Sequence, residues 1–463
     1  MKKPILIFVA LICAMLGLVR STLAESQFSD LAIYSQTLPN GMRLLVKEDH
    51  RSPTVAHMVW YNVGSMDEVD GHSGLAHALE HMMFKGTPKL GPGQFSKQVA
   101  AAGGRDNAFT SLDYTAYFQQ IPKEKLGEMM ALEADRMRHL TVDPKEFAQE
   151  IKVVMEERRM RTDDNPQATL FEQLNAVAFQ AHPYRRPIIG WMNDLEAMTA
   201  ADAKRWYQDW YIPNNATLVV VGDVNPAEVF KLAQKTYGAL KPRVLPERRQ
   251  QHEPEQRGVR RLEVSAPAEL PVLVMAYKAP SLRKPAEETT PYVLKMLAAI
   301  LNGHEAARLN QQLVREQGLA VSTGADYDMT SRGPALFYLY GSPSQGKTVE
   351  ALEAALREQI KQIQESGVTE EELKRAKAQL LASEIFKLDS VFGQAMEIGM
   401  LESAGLSWRD QPTLLAGLQA VTADAIQAQA KALFSDASLT VGVLCPTSAA
   451  KPPARRPSSP VRH

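Results

Sequence analysis

The chain has 463 residues, of which 45% are hydrophobic and 23% charged, and its formal net charge is −1. That is a globular balance with material for at least two domains and large cores. A nearly neutral chain with no basic patch outside its tail gives no electrostatic ground for nucleic acid or an acidic membrane surface as partner.

The amino terminus, "MKKPILIFVALICAMLGLVRSTLAESQ", places two lysines before an apolar run from Ile5 to Val19, then small and polar residues up to Ala24. This is the layout of a secretory signal peptide over residues 1–24, cut before Glu25, and the run is short for spanning a bilayer. A bacterial periplasmic protein is expected, with no membrane attachment after cleavage. Cys13 lies in this leader, and Ile12 before it does not suit a lipoprotein signal. Cys445 is then left alone, which excludes an intramolecular disulfide and a cysteine metal cluster.

"TVAHMVWYNVG" (54–64) reads as a strand, and "HSGLAHALEHMMFKGT" (72–87) follows it. Apolar spacing at Leu75, Leu79, Met82 and Met83 predicts a helix from Gly74 to Phe84, with Ser73 as its cap. Residues at i, i+3 and i+4 share a face, so His77, Glu80 and His81 project together. Two imidazoles one turn apart can bind a single zinc ion. The glutamate between them can take a proton from a water that the metal acidifies. The order H-x-x-E-H inverts the metalloprotease H-E-x-x-H. The alternative is an ordinary helix with two solvated histidines, but the polar stripe is narrow and sits among Leu and Met.

"AAGGRDNAFTSLDYTAYF" (101–118) reads as a turn and a strand. In "AQEIKVVMEERRM" (148–160), Glu150, Val153, Val154 and Glu157 form one helical stripe. Carboxylates interrupting an apolar stripe are costly unless paired or bound to metal, and a catalytic zinc needs a third protein ligand. Spacing alone leaves Glu156 and Glu157 both open for that role.

The sequence then repeats its own plan. "MTAADAKRWYQDWYIPNNATLVVVGDV" (198–224) and "VTADAIQAQAKALFSDASLTVGVL" (421–444) each carry a capping threonine, Thr199 or Thr422, then a helix and a β-branched strand. A weaker echo pairs residues 140–158 with 366–384. Between the halves, residues 241–261 are rich in proline and charge and read as a linker. An α+β fold of two homologous sheet-plus-helix domains in tandem is expected, over 25–240 and 262–446. The basic, proline-rich 447–463 reads as a disordered tail.

Together these residues resemble the insulinase or pitrilysin zinc peptidases, most closely the bacterial branch similar to the mitochondrial processing peptidase. "GLAHALEHMMFKGT" matches the family signature nearly throughout, and the likeness covers about residues 32 to 445. Counted from His81, the family's third-ligand position falls on Glu157 and a supporting acidic position on Glu150. The resemblance thus implies one zinc per chain on His77, His81 and Glu157, with Glu80 as general base. It also implies that residues 101–118 include the strand edge that binds substrate backbone, with Asn107, Ala108 and Phe109 nearest the metal. "HPYRRPIIGWMNDL" (182–195) fits the pattern too, with His182 as a structural loop residue. The family fold is half of a clamshell, one half of the chain carrying the metal and the other helping to hold substrate.

The resemblance breaks in the second half. Many relatives carry an Arg and a Tyr there that are thought to contact the substrate carbonyl region, and the matching stretch "LVREQGLAV" (313–321) has Val314 and Val321 instead. Arg315 lies one residue off, about 100° around if the segment is helical. Valine donates no hydrogen bond and stabilises no oxyanion. Since some family members are two-chain enzymes, the expectation is a zinc-bearing endopeptidase subunit acting on short or unfolded peptides. Its partner would be a homologous zinc-free subunit, with a homodimer as the alternative. The competing reading is a non-catalytic peptide-binding or scaffold subunit of the same fold.

Overall fold

The computed structural model describes residues 32–448, so the predicted leader and nearly all of the predicted tail lie outside the described residues. The first half contributes strands β1 (Ile33–Thr37), β2 (Arg43–Glu48), β3 (Thr54–Tyr61), β4 (Arg105–Thr110), β5 (Thr115–Pro122) and β6 (Ala216–Gly222). Its helices are α1 (Leu75–Met82), α2 (Gln94–Ala101), α3 (Leu126–His139), α4 (Pro144–Arg158), α5 (Pro166–Ala178), α6 (Met192–Ala197), α7 (Ala200–Trp210) and α8 (Pro226–Thr236). The second half adds β7 (Arg260–Pro267), β8 (Val272–Ala279), β9 (Ala320–Tyr327), β10 (Ala335–Pro343) and β11 (Leu439–Thr447). With them come α9 (Thr290–Asn302), α10 (Val349–Ser366), α11 (Glu370–Lys387), α12 (Val391–Ser403), α13 (Gln411–Ala420) and α14 (Ala423–Leu433).

The strands form two sheets, in the orders β1-β2-β6-β3-β5-β4 and β7-β11-β8-β10-β9. In the first, β6 runs parallel to β2 and antiparallel to β3. In the second, β11 runs parallel to β7 and antiparallel to β8. The halves therefore share one plan, with β1 as an addition to the first. The capping threonines sit where the repeat places them. Thr199 Oγ accepts the Asp202 N–H before α7, and Thr422 Oγ accepts the Ala425 N–H before α14.

The central strands are apolar on both faces, which requires cover on both. Along β3, Val55, Val59 and Tyr61 face the core beneath α1, α3 and α7. Ala56, Met58 and Trp60 face the opposite side, where Ala395 and Ile398 of α12 meet them. The period of two thus feeds two different cores. Reciprocally, Leu170 and Leu174 of α5 cover the outer face of the second sheet, against Val272, Val274 and Leu444. Each half lends the other a helix. The linker contains no helix or strand between α8 and β7 but is pinned to both halves. Glu253 accepts N–H groups of Gln180, Ala181 and His182 and pairs with Lys278 of β8.

Helix α12 approaches the first sheet so closely that a Cβ on Gly399 would lie 1.9 Å from Trp60 Cε2. Gly399→Ala should therefore lower stability by about 1–3 kcal/mol through overpacking. A parallel Gly258→Ala change, where nothing lies within 4 Å, should leave stability nearly unchanged. Urea denaturation followed by Trp fluorescence reads both, and an unaltered Gly399→Ala midpoint would contradict this packing.

Candidate metal centre

Helix α1 starts differently from the sequence expectation. Its cap position is Gly74, at φ 85°, and no side chain at that position caps it. Ser73 does not cap the helix, because its Oγ donates to Asp194 Oδ2 at 2.5 Å and accepts the Trp191 N–H at 2.9 Å. The free amides of the first turn go instead to Glu68, whose Oε2 and Oε1 accept the Gly74 and Ala76 N–H groups at 3.0 and 2.8 Å. Burial pushes the Glu68 carboxyl up to about 8, against the pull of those two bonds.

From this anchored helix, His77 and His81 turn toward α4. Glu157 Oε2 lies 3.5 Å from His77 Nε2 and 3.3 Å from His81 Nε2. The three potential ligand atoms all lie within 4.8 Å of one another. Glu156 does not take part, since it points outward and pairs with Arg159 at 2.9 Å. Glu150, two turns before Glu157 on the same stripe, accepts from His81 Nδ1 at 2.9 Å and pairs with Lys85. That contact assigns the His81 proton to Nδ1 and leaves Nε2 facing the centre. Glu157 Oε1 pairs with Arg161 at 2.7 Å, from the π-helical turn Arg159–Asp163 that follows α4.

The fit to a metal rests on one atom. Glu157 Oε2 is buried and has no hydrogen-bond partner, although two imidazole nitrogens face it. A neutral His77 Nε2 and a buried carboxylate oxygen meet there beside His81 Nε2, a set of donors that a cation satisfies once His81 gives up its Nε2 proton. Ligand atoms about 2.0–2.1 Å from a tetrahedral zinc lie about 3.3–3.4 Å apart, close to the two observed separations. Burial, with the nearby His81 and Arg161 charges, pushes His77 down to about 3, so it is a neutral donor at neutral pH. Burial opposes a charged His81, but the Glu150 hydrogen bond and the Glu157, Glu150 and Glu80 carboxylates together raise it. The donor set suits zinc.

Glu80 is held on the same side of α1. Burial pushes its carboxyl up, while the bond from Thr110 and the His81 charge pull back. Strand β4 forms the edge of its sheet and pairs only with β5, from Arg105↔Gln120 to Thr110↔Thr115. Residues 101–118 are thus the end of a helix and a two-stranded hairpin rather than a turn and one strand. Asn107 is exposed on β4, and its Oδ1 accepts the Ala108 N–H at 2.9 Å, so the side chain occupies an edge donor that an incoming strand would use. Phe109 packs edge-on against Trp60 and Tyr114.

His182 is a buried loop residue whose Nδ1 accepts the Tyr184 N–H, and burial pushes it down to about 4. Val314 packs against the second core, whereas Val321 on β9 is 50% exposed. Arg315 turns to Glu305, at 2.7 Å. Sequence reasoning missed Lys85 and Arg161, which lie four residues beyond His81 and Glu157 but just past the ends of α1 and α4. It also missed Glu68 and Thr110, for which no local pattern exists. Among the described residues no helix is long and apolar enough to cross a membrane.

Comparison with known proteins identifies the family and the fold. A profile described as insulinase (peptidase family M16) matches residues 43–191, and one described as peptidase M16 inactive domain matches residues 197–380. The chain is 32% identical to the zinc protease PqqE of Helicobacter pylori, over 77% of this chain and 80% of that protein. A crystal structure of a protease from Helicobacter pylori superimposes with a TM-score of 0.85 at 29% identity, covering 90% of this chain and all of that one (100%). The periplasmic protease PqqL of Escherichia coli shares the fold at 20% identity with a TM-score of 0.77, and the match covers 90% of this chain but 48% of that one.

The Glu68 anchor is testable without metal. Glu68→Ala leaves two first-turn amides of α1 without their acceptor and should cost about 1–2 kcal/mol. Urea denaturation of the metal-free protein measures this, and an unchanged midpoint would show that the carboxylate does not hold the helix.

Proposed function

The chain belongs to the insulinase family of M16 peptidases, and from that premise we propose that it is a zinc-dependent endopeptidase subunit acting on short or unfolded peptides. The observation that carries this reading is the unpaired, buried Oε2 of Glu157 facing two imidazoles, with the Glu80 carboxylate on the adjoining turn. His77, His81 and Glu157 would hold one zinc ion per chain, which supplies Lewis acidity toward water and a peptide carbonyl. Glu80 takes the proton of the attacking water, and its raised pKa suits it to return that proton to the leaving amine. Glu150 holds the His81 ring in place through Nδ1. The edge of β4 at Asn107, Ala108 and Phe109 receives an extended peptide through main-chain hydrogen bonds, which displaces the Asn107 side chain from the Ala108 N–H.

Val314 and Val321 leave this chain without the Arg/Tyr assistance of many relatives, so a homologous zinc-free subunit supplies that pair from across a shared chamber. A fold match that fills 90% of this chain but 48% of the Escherichia coli protein supports a chamber built from two such units. Residues 1–24 act as a cleaved signal peptide and direct the protein to the periplasm. The zinc-bearing half is then 25–240 and the zinc-free half 262–446.

Glu80→Gln should retain about one zinc per chain while kcat falls by about 10²- to 10⁴-fold. Metal analysis beside a peptide-cleavage assay measures both, and normal turnover would rule out Glu80 as the base. Zinc affinity should fall by about 10- to 100-fold in Glu150→Ala. Assays of the chain alone and with its partner subunit test the second claim, which full activity of the isolated monomer would overturn.

A further inference from the structure

Glu80 has one bonded oxygen and one open one. Thr110 Oγ1 donates to Glu80 Oε2 at 2.5 Å, from the last residue of the edge strand β4. A carboxylate only accepts, so the direction of this bond is settled by chemistry. It ties the side chain on α1 to the strand placed to receive substrate.

The threonine is itself fixed. It pairs with the fully buried Thr115 across the hairpin, and Thr115 Oγ1 donates to Val63 O at 3.0 Å. The hairpin turn accepts the Ser65 and Met66 N–H groups on Ser111 O and Leu112 O at 3.1 and 2.9 Å. The same short segment leads into Glu68, which anchors the first turn of α1. One brace, residues 63–68, therefore holds both ends of the Thr110–Glu80 contact. From the second half, Arg332 donates to Asp67 and to Asp113 of the hairpin turn, at 3.2 and 2.8 Å.

From this geometry we infer that Thr110 is a positioning residue for Glu80. Its hydroxyl locks the carboxylate in one orientation, so that Oε2 is occupied and Oε1 is presented to the reacting water. This rests on the zinc-peptidase reading, and it adds that the substrate strand and the base are set by a single hydrogen bond. Because the contact acts on proton transfer rather than on peptide or metal binding, its loss shows in kcat and not in KM or zinc content.

Thr110→Val keeps the shape of the side chain and removes the hydroxyl, and Thr110→Ser keeps the hydroxyl and removes the methyl. In the full chain, assayed with its partner subunit, Thr110→Val should lower kcat by about 10- to 100-fold with KM and zinc per chain within about twofold of wild type. Thr110→Ser should recover kcat to within about threefold. Crystal structures of the three proteins give a readout independent of turnover. Glu80 should hold one orientation in wild type and the Ser variant and should occupy several in the Val variant. A wild-type kcat in Thr110→Val, a Ser variant as slow as Val, or a single Glu80 orientation in the Val variant would each overturn the inference. A wild-type protein that binds zinc yet cleaves nothing counts against the peptidase reading, and the orientation of Glu80 then decides this one.

Discussion

Three potential ligand atoms converge at the centre of the first half, with Glu157 Oε2 3.5 Å from His77 Nε2 and 3.3 Å from His81 Nε2 and without a hydrogen-bond partner. Burying a carboxylate oxygen with no hydrogen-bond partner is costly, so the scaffold must hold α1 and α4 in place around it. Much of the first half serves this purpose. Glu68 anchors the start of α1, Glu150 (itself paired with Lys85) holds the His81 ring, and Arg161 holds the far oxygen of Glu157. Val154 and Phe147 sink α4 into the same core that receives Leu75 and Leu79 of α1. The pair of helices is thus rigid for reasons unrelated to metal, and the ligand atoms follow from their docking.

The second half shows the same plan without this centre. Thr290–Asn302, its helix α9, carries Leu294, Leu297 and Leu301 into the core and has neither histidine nor glutamate. Its edge strand β9 corresponds to β4 in sheet order, and there Val321 lies exposed. Duplication explains the asymmetry physically. Each sheet needs a helix on its outer face, so α5 and α12 are exchanged between halves and keep the two units together whichever of them retains chemistry.

The parts of the centre that lie along one helix could be read in the sequence, because helical periodicity is local. His77, Glu80 and His81 share a face by spacing alone, as do Glu150 and Glu157. Choosing Glu157 over Glu156 needed either a family pattern or a structure, since neighbouring residues differ by only about 100° and the docking of α4 is a tertiary fact. The two-sheet α+β architecture followed from the repeated helix-then-strand segments around Thr199 and Thr422. What stayed hidden is long-range: Glu68 replacing Ser73 at the start of α1, Thr110 beneath Glu80, and the exchanged helices. None of these leaves a period or motif, because each depends on which segments meet after folding.

Anomalous diffraction at the zinc absorption edge, on crystals of the protein supplied with zinc, tests whether His77, His81 and Glu157 form one zinc site. A single peak is expected about 2.0–2.2 Å from His77 Nε2, His81 Nε2 and Glu157 Oε2. A peak held by other residues, or none beside an unchanged cluster of the three side chains, would contradict it.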